Sequence, residues 1–217
     1  EEGTGVRYML GGDSTLSIVH GTPTPYTISQ EIYMEWTAGE GVTLPAGIWS
    51  IALYPREIRE GVCNLWMSGI EASGRQTGFL MPVTNTTLTI PATADRIVSV
   101  GAYQADTMAV APFSGRGFTA SGQVAPTLVA PGVDILTAAP GGGYARRTGT
   151  SIAAPFVTGA AALLMEWGIV RGNDVELYGE KGKAYLMRGA KPLPGITDYP
   201  DVAAGYGRLC VEQSIPK

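Results

Sequence analysis

Residues 149–159, Gly149-Thr150-Ser151-Ile152-Ala153-Ala154-Pro155-Phe156-Val157-Thr158-Gly159, bring a hydroxyl, a turn-forming glycine and an apolar helix start into one short segment. A serine in the opening turn of a helix lies where unpaired backbone N–H groups and the positive end of the macrodipole favour negative charge. Charge of that kind develops on a substrate carbonyl oxygen under nucleophilic attack. Ser151 is therefore the candidate nucleophile, with its own N–H as a candidate oxyanion donor. Gly149 and Thr150 form the approach, and glycine permits both a sharp turn and close passage of a substrate. Pro155 is expected within the first turn, where its missing N–H costs little and the helix start is fixed. Residue types alone leave open a serine that merely caps a helix, which is a far commoner arrangement.

These residues need elements to hold them. A long apolar helix is predicted from about Ser151 to Trp167, with Gly159, Ala160, Ala161 and Ala162 allowing close packing on a sheet and Gly168 offering a stop. A second helix is predicted near Glu176 to Arg188. Upstream, Arg96-Ile97-Val98-Ser99-Val100-Gly101-Ala102 and Thr127-Leu128-Val129-Ala130 are continuous apolar runs, the signature of strands covered on both faces. The chain before about Leu80 differs. Short β-prone runs, Thr15 to Val19, Glu31 to Trp36 and Gly47 to Tyr54, are separated by turns, with Pro23, Pro25, Pro45 and Pro55 at their edges. Their alternation predicts an antiparallel sandwich or jelly roll with one wet face and buried tryptophans.

The string Gly-Thr-Ser-x-Ala-x-Pro-x-x-Thr-Gly, followed by Ala-Ala-Ala-Leu-Leu, resembles the serine motif of the subtilases, the S8 family of subtilisin-like serine proteases, at every defining position. Val98 to Ala102, Phe113-Ser114-Gly115-Arg116-Gly117 and Leu128 to Val133 follow in the order subtilases show, so the resemblance covers Ile90 to Gly168. Leu53-Tyr54-Pro55-Arg56, Leu164 to Gly168, Leu177 to Lys181 and Gly205-Tyr206-Gly207 are similar to the germination-associated subtilases of spore-forming clostridia, which carry an inserted jelly roll. The resemblance implies an α/β subtilisin-like C-terminal half with a mostly parallel sheet at residues 89–217, preceded by an all-β jelly-roll-like segment at 1–88. It implies serine endopeptidase chemistry on a protein or peptide substrate, with Ser151 as nucleophile, in a bacterial and spore-associated setting.

Subtilases place an aspartate and a histidine before the serine, so that the serine has a base and the base an orienting acid. The chain has one histidine, His20, and the prolines after His20-Gly21-Thr22 oppose the helix that the family starts there. Asp13 is followed by Ser14-Thr15 rather than a glycine turn, and Asn64, Asn85 and Asn173 sit in contexts unlike the family's oxyanion amide. Asp13 and His20 are read as residues of the β-rich segment, and Asp134 as a surface position at a strand end. Asp, His and Asn are then expected on an N-terminal portion of the same protease. The alternative is a catalytically inactive subtilase-fold protein acting as sensor or scaffold, and a third possibility is a binding module using Trp36, Trp49 or Trp66.

A net charge of −4 with scattered lysines and arginines opposes nucleic acid as a partner. Pro155, Thr158 and Gly159 interrupt the most apolar segment, so no membrane span is expected, and the opening Glu1-Glu2-Gly3 is unlike a signal peptide. Cys63 and Cys210, without CxxC spacing, are expected as small buried thiols, and no clustered carboxylates suggest a metal or other cofactor. The parallel sheet, needing cover on both faces, is expected to leave apolar surface exposed here, with self-association or a bound partner chain as the consequence.

Overall fold

The computed structural model describes residues 3, 5–22, 25, 30–58, 61–74 and 76–216, without the side chains of residues 70 and 71. Pro23 lies outside the described residues. By contacts the chain separates into two compact units, Glu1–Leu65 and Trp66–Lys217.

The first unit holds a three-stranded antiparallel sheet in the order β1 (Gly5–Gly11), β2 (Ser14–His20), β3 (Ile32–Ala38). Leu16 pairs with Tyr8 on one side and Trp36 on the other, so β2 is the central strand. β2 and β3 fall on two of the predicted runs, whereas β1 was not anticipated. The third run, Gly47 to Tyr54, forms no strand, and Ile48 and Tyr54 are largely exposed. Alternation alone could not produce a strand there, because a ladder needs a partner. The expected buried face is also thin. Ser14 is buried and most of β2 half-buried, but Trp49 and Trp66 are exposed, contrary to the prediction of buried tryptophans. Trp49 meets Trp36 edge-on at 5.9 Å.

In the second unit a short helix α1 (Ile70–Ser73) precedes a sheet in which β4 (Val100–Gln104) runs parallel to β6 (Leu128–Pro131), with β5 (Ala109–Val110) antiparallel on the outer edge of β4. A hairpin of β7 (Ile135–Ala138) and β8 (Tyr144–Arg147) leads into helix α2 (Thr150–Met165). Helices α3 (Gly179–Gly189) and α4 (Val211–Ser214) follow.

Leu128, Val129 and Ala130 are all fully buried, as the continuous apolar run requires. Successive strand residues face opposite ways. Leu128 and Ala130 join Ala102, Ala153, Val157, Ala160 and Leu164 in one cluster, while Val129 joins Tyr103, Leu193 and Ala204 in another. α2 contributes residues spaced four, three and four apart, a helical stripe, and packs on β4 and β6. The far edge of β6 is closed by residues 206–209, through Leu209 N–H to Val129 O at 2.8 Å and Val129 N–H to Gly207 O at 3.0 Å. A Cβ at Gly205 or Gly207 would strike the backbone of Pro126 or Lys191, which explains the glycines flanking Tyr206.

Gly168 does not end the helix. The backbone continues as a π-helical turn, Glu166–Val170, and Gly168 is buried where a Cβ would come 3.0 Å from Leu177 Cδ2. Close packing, not termination, selects glycine there. The whole run Thr150–Val170, 21 residues, is long and apolar enough to cross a membrane by length and composition, although the sequence suggested an interrupted segment. Its buried stripe packs on the sheet as a core helix does. Cys63 is exposed and Cys210 half-buried, both free thiols, so the expectation of burial fails for Cys63.

Candidate active site

Ser151 occupies the second position of α2 and is exposed. Three features fix it. Gly149 precedes the helix with φ 155° and ψ 161°, a region open essentially to glycine alone. The Gly149 carbonyl accepts from Ile152 N–H at 3.1 Å and Ala153 N–H at 3.2 Å, and Gly149 N–H donates to Gly132 O at 2.8 Å, tying the helix start to the end of β6. Gly132 must lack a side chain, since a Cβ would lie 2.7 Å from Ala102 Cβ and 2.9 Å from Gly149 O. Neither the Ser151 hydroxyl nor its N–H has a hydrogen-bond partner among the described residues. Both point groups are therefore available to a ligand at the positive end of a sixteen-residue helix.

Pro155 is the sixth residue of α2 and lies in its second turn rather than its first. The N–H it lacks would have bonded the Ser151 carbonyl, and the proline ring crowds that same carbonyl. Pro155 thus acts on the peptide group of Ser151 itself. Even a helix starting at Ser151 would place Pro155 fifth, past a first turn of about 3.6 residues, so the expectation of a first-turn proline fails on spacing alone.

His20 closes β2, paired with Ile32 of β3, and Asp13 sits in the β1–β2 turn with φ 60°. Both are in the first unit and act as β-sheet and turn residues there. Asp134 is bound locally, its carboxylate and carbonyl each 2.9 Å from Arg146 Nη1, and its N–H 2.9 Å from Thr148 Oγ1. Asn173 donates to Trp167 O at 2.8 Å and ties down the π-helical turn. Among the described residues no group of three or more His, Cys, Asp or Glu side chains could hold a metal.

A second polar centre lies past the end of the α2 helical run, between Asp174 and α3. Asp174, with its carboxylate mostly buried, accepts from Lys181 Nζ at 2.6 Å and from Tyr185 Oη at 2.8 Å. The Lys181 hydrogen bond first, then that of Tyr185, hold its carboxyl below the usual range, and Asp174 in turn raises the Lys181 ammonium and the Tyr185 phenol above theirs. Tyr185 also meets Trp167 edge-on at 6.0 Å and lies under Arg188. This cluster joins the end of the α2 helical run to α3 and is structural.

A parallel pair of buried strands, β4 and β6, with a glycine-steered helix packed on it and an exposed serine at the helix start, defines an α/β scaffold. Residues 69–207 match the model of the Peptidase S8 or subtilase family, and the chain belongs to that family of serine proteases. The structure of the Clostridium perfringens CspB protease is similar with TM-score 0.74 and 30% identity, over 98% of this chain and 44% of that one. The prenylagaramide maturation protease PagA is similar over 60% of this chain and 47% of that one, with TM-score 0.50 and 34% identity. Among curated proteins, the subtilisin-like serine protease Pen ch 13 of Penicillium rubens is 35% identical over 112 residues, 52% of this chain and 26% of that protein. The C5a peptidase of Streptococcus pyogenes is 44% identical over 54 residues, 25% of this chain and 5% of that protein. The chain thus spans well under half the length of these curated relatives.

Proposed function

We propose that this chain carries the nucleophile of a serine endopeptidase, with Ser151 attacking a peptide carbonyl. The observation that carries the reading is Ser151, exposed and without a hydrogen-bond partner among the described residues, at the N-terminus of α2 behind a glycine held in a glycine-only conformation. In the reaction the Ser151 Oγ–H gives its proton to a base as Oγ bonds the carbonyl carbon. The carbonyl oxygen takes the negative charge and accepts from the Ser151 N–H. Collapse expels the amine with the proton from the base, and water then releases the acyl group.

The base, its orienting acid and a second oxyanion donor are assigned to an N-terminal portion of the same protease. Two observations support this. The chain spans 44% of the CspB chain. The side of α2 away from β4 and β6 is apolar and uncovered, with Phe156 41% and Leu163 49% exposed. An apolar helix face of this kind calls for cover. On this reading residues 89–217 form the C-terminal half of the catalytic domain, and 1–88 belong to a jelly-roll-like insert of the kind seen in the clostridial branch. Separated from that portion, the chain is expected to self-associate and to be inactive.

The test is a fluorophosphonate that reacts only with activated serines, applied to the full-length gene product and to Ser151→Ala. Labelling lost in the variant supports the protease. A folded, unlabelled wild type would favour the inactive sensor or scaffold instead.

A further inference from the structure

A cavity of about 500 Å³ opens in the second unit between residues 84–92 and the segment 112–116, and Thr150 lines it. Consecutive Cα atoms are about 3.8 Å apart, so this wall stands one residue from Ser151. Its volume suits a side chain with neighbouring backbone.

The wall is built, not incidental. Thr87 N–H donates to Arg116 O at 2.9 Å, and Arg116 N–H donates to Thr87 Oγ1 at 2.9 Å, clamping the two segments together. Ser114 Oγ accepts from Ala102 N–H at 3.0 Å and fixes the floor to β4. Arg116 is the one charged residue of the lining, and no carboxylate among the described residues is within ion-pair distance of it. The hydroxyls of Thr89 and Thr150 are likewise without partners among the described residues, and Leu88 supplies apolar surface. Arg116, a half-buried residue without a counter-charge among the described residues, lines this cavity together with Thr89 and Thr150, and a site of that composition favours an anion.

We infer that this cavity selects a substrate with an acidic side chain next to the scissile bond, its carboxylate on Arg116 and its methylenes against Leu88. The inference rests on the reading of Ser151 as nucleophile and adds a specificity-determining residue to it.

Peptidyl diphenyl phosphonates carrying Glu, Leu or Lys at the residue whose carbonyl is attacked, and a second set varied at the residue beyond it, test this on the full-length gene product. In one of the two sets the Glu probe is expected to label Ser151 faster than the Lys probe, on the order of tenfold to a hundredfold. Arg116→Gln should level that difference and Arg116→Glu should turn it towards Lys, while a small fluorophosphonate without a side chain labels all three proteins alike. Probe preferences that ignore both Arg116 substitutions, with small-probe labelling intact, overturn the inference and leave the nucleophile standing. Loss of small-probe labelling from folded wild-type protein overturns the nucleophile and the inference together.

Discussion

Gly132→Ala is the substitution that most directly probes how the sheet aims the serine. The added methyl would lie 2.7 Å from Ala102 Cβ, 2.9 Å from Gly149 O and 3.2 Å from Ala153 Cβ. Carbon atoms are comfortable at about 3.5–4.0 Å, so something must move by roughly 1 Å. The sheet side is a buried alanine on a central strand, whereas Gly149 O is the acceptor that holds the first N–H groups of α2. The helix start is the part that yields. Overpacking of this kind costs about 1–3 kcal/mol. A displacement of about 1 Å at the nucleophile costs on the order of a hundredfold in rate. The assay pairs urea unfolding with the rate of fluorophosphonate labelling, on full-length protein. The expected result is a labelling rate reduced far more than stability predicts, with partial recovery in the double variant Ala102→Gly, Gly132→Ala. Gly182→Ala, where no described atom beyond its chain neighbours and its own helix backbone lies within 4 Å of the added carbon, is the control and should be stabilising by up to about 1 kcal/mol. Wild-type labelling by Gly132→Ala would refute the reasoning.

Other consequences follow from the same contacts. Leu164→Ala removes a side chain 1% exposed at the α2 and sheet interface and should lower stability by about 2–5 kcal/mol in chemical denaturation. The depressed Asp174 carboxyl contributes stability that is present above the ordinary value of 3.8 and is lost as pH falls through its folded value. The raised Lys181 and Tyr185 groups contribute stability that is lost only on the alkaline side, as pH rises through their folded values. Asp174→Asn should therefore be less stable at neutral pH and should lack that acid-side loss, as denaturant midpoints across the two pH ranges will show. The chain on its own should sediment as more than a monomer, and Leu163→Glu should reduce that association. Monomeric behaviour of the unmodified chain would remove the argument from the uncovered face of α2.

The parts of the fold that the sequence displayed are those whose pattern is set by burial within a single element. Leu128, Val129 and Ala130 announce a strand covered on both sides, and Ala153, Val157, Ala160 and Leu164 mark a helix with one packed face. Where a partner element decides, the pattern misled. Residues 47–54 are β-prone but have no neighbouring strand among the described residues to pair with, while Gly5–Gly11, bracketed by glycines, forms β1 because β2 supplies its ladder. Gly168 looked like a helix stop because its reason for being glycine, the contact with Leu177, lies nine residues ahead in the chain. At the candidate site, Gly149, Thr150 and Ser151 stand in the sequence as one continuous string. Gly132 and Arg116 were not singled out as site residues, since their relation to Ser151 exists only after β6 and α2 have packed.

The most direct test of the account is the intact mass of full-length protein after reaction with a fluorophosphonate, followed by peptide mapping of the adduct. The account predicts one adduct, on the peptide containing Ser151, formed by the full-length protein and not by residues 1–217 alone. An adduct elsewhere, or none on a natively folded full-length protein, would contradict the assignment of Ser151 as an activated nucleophile.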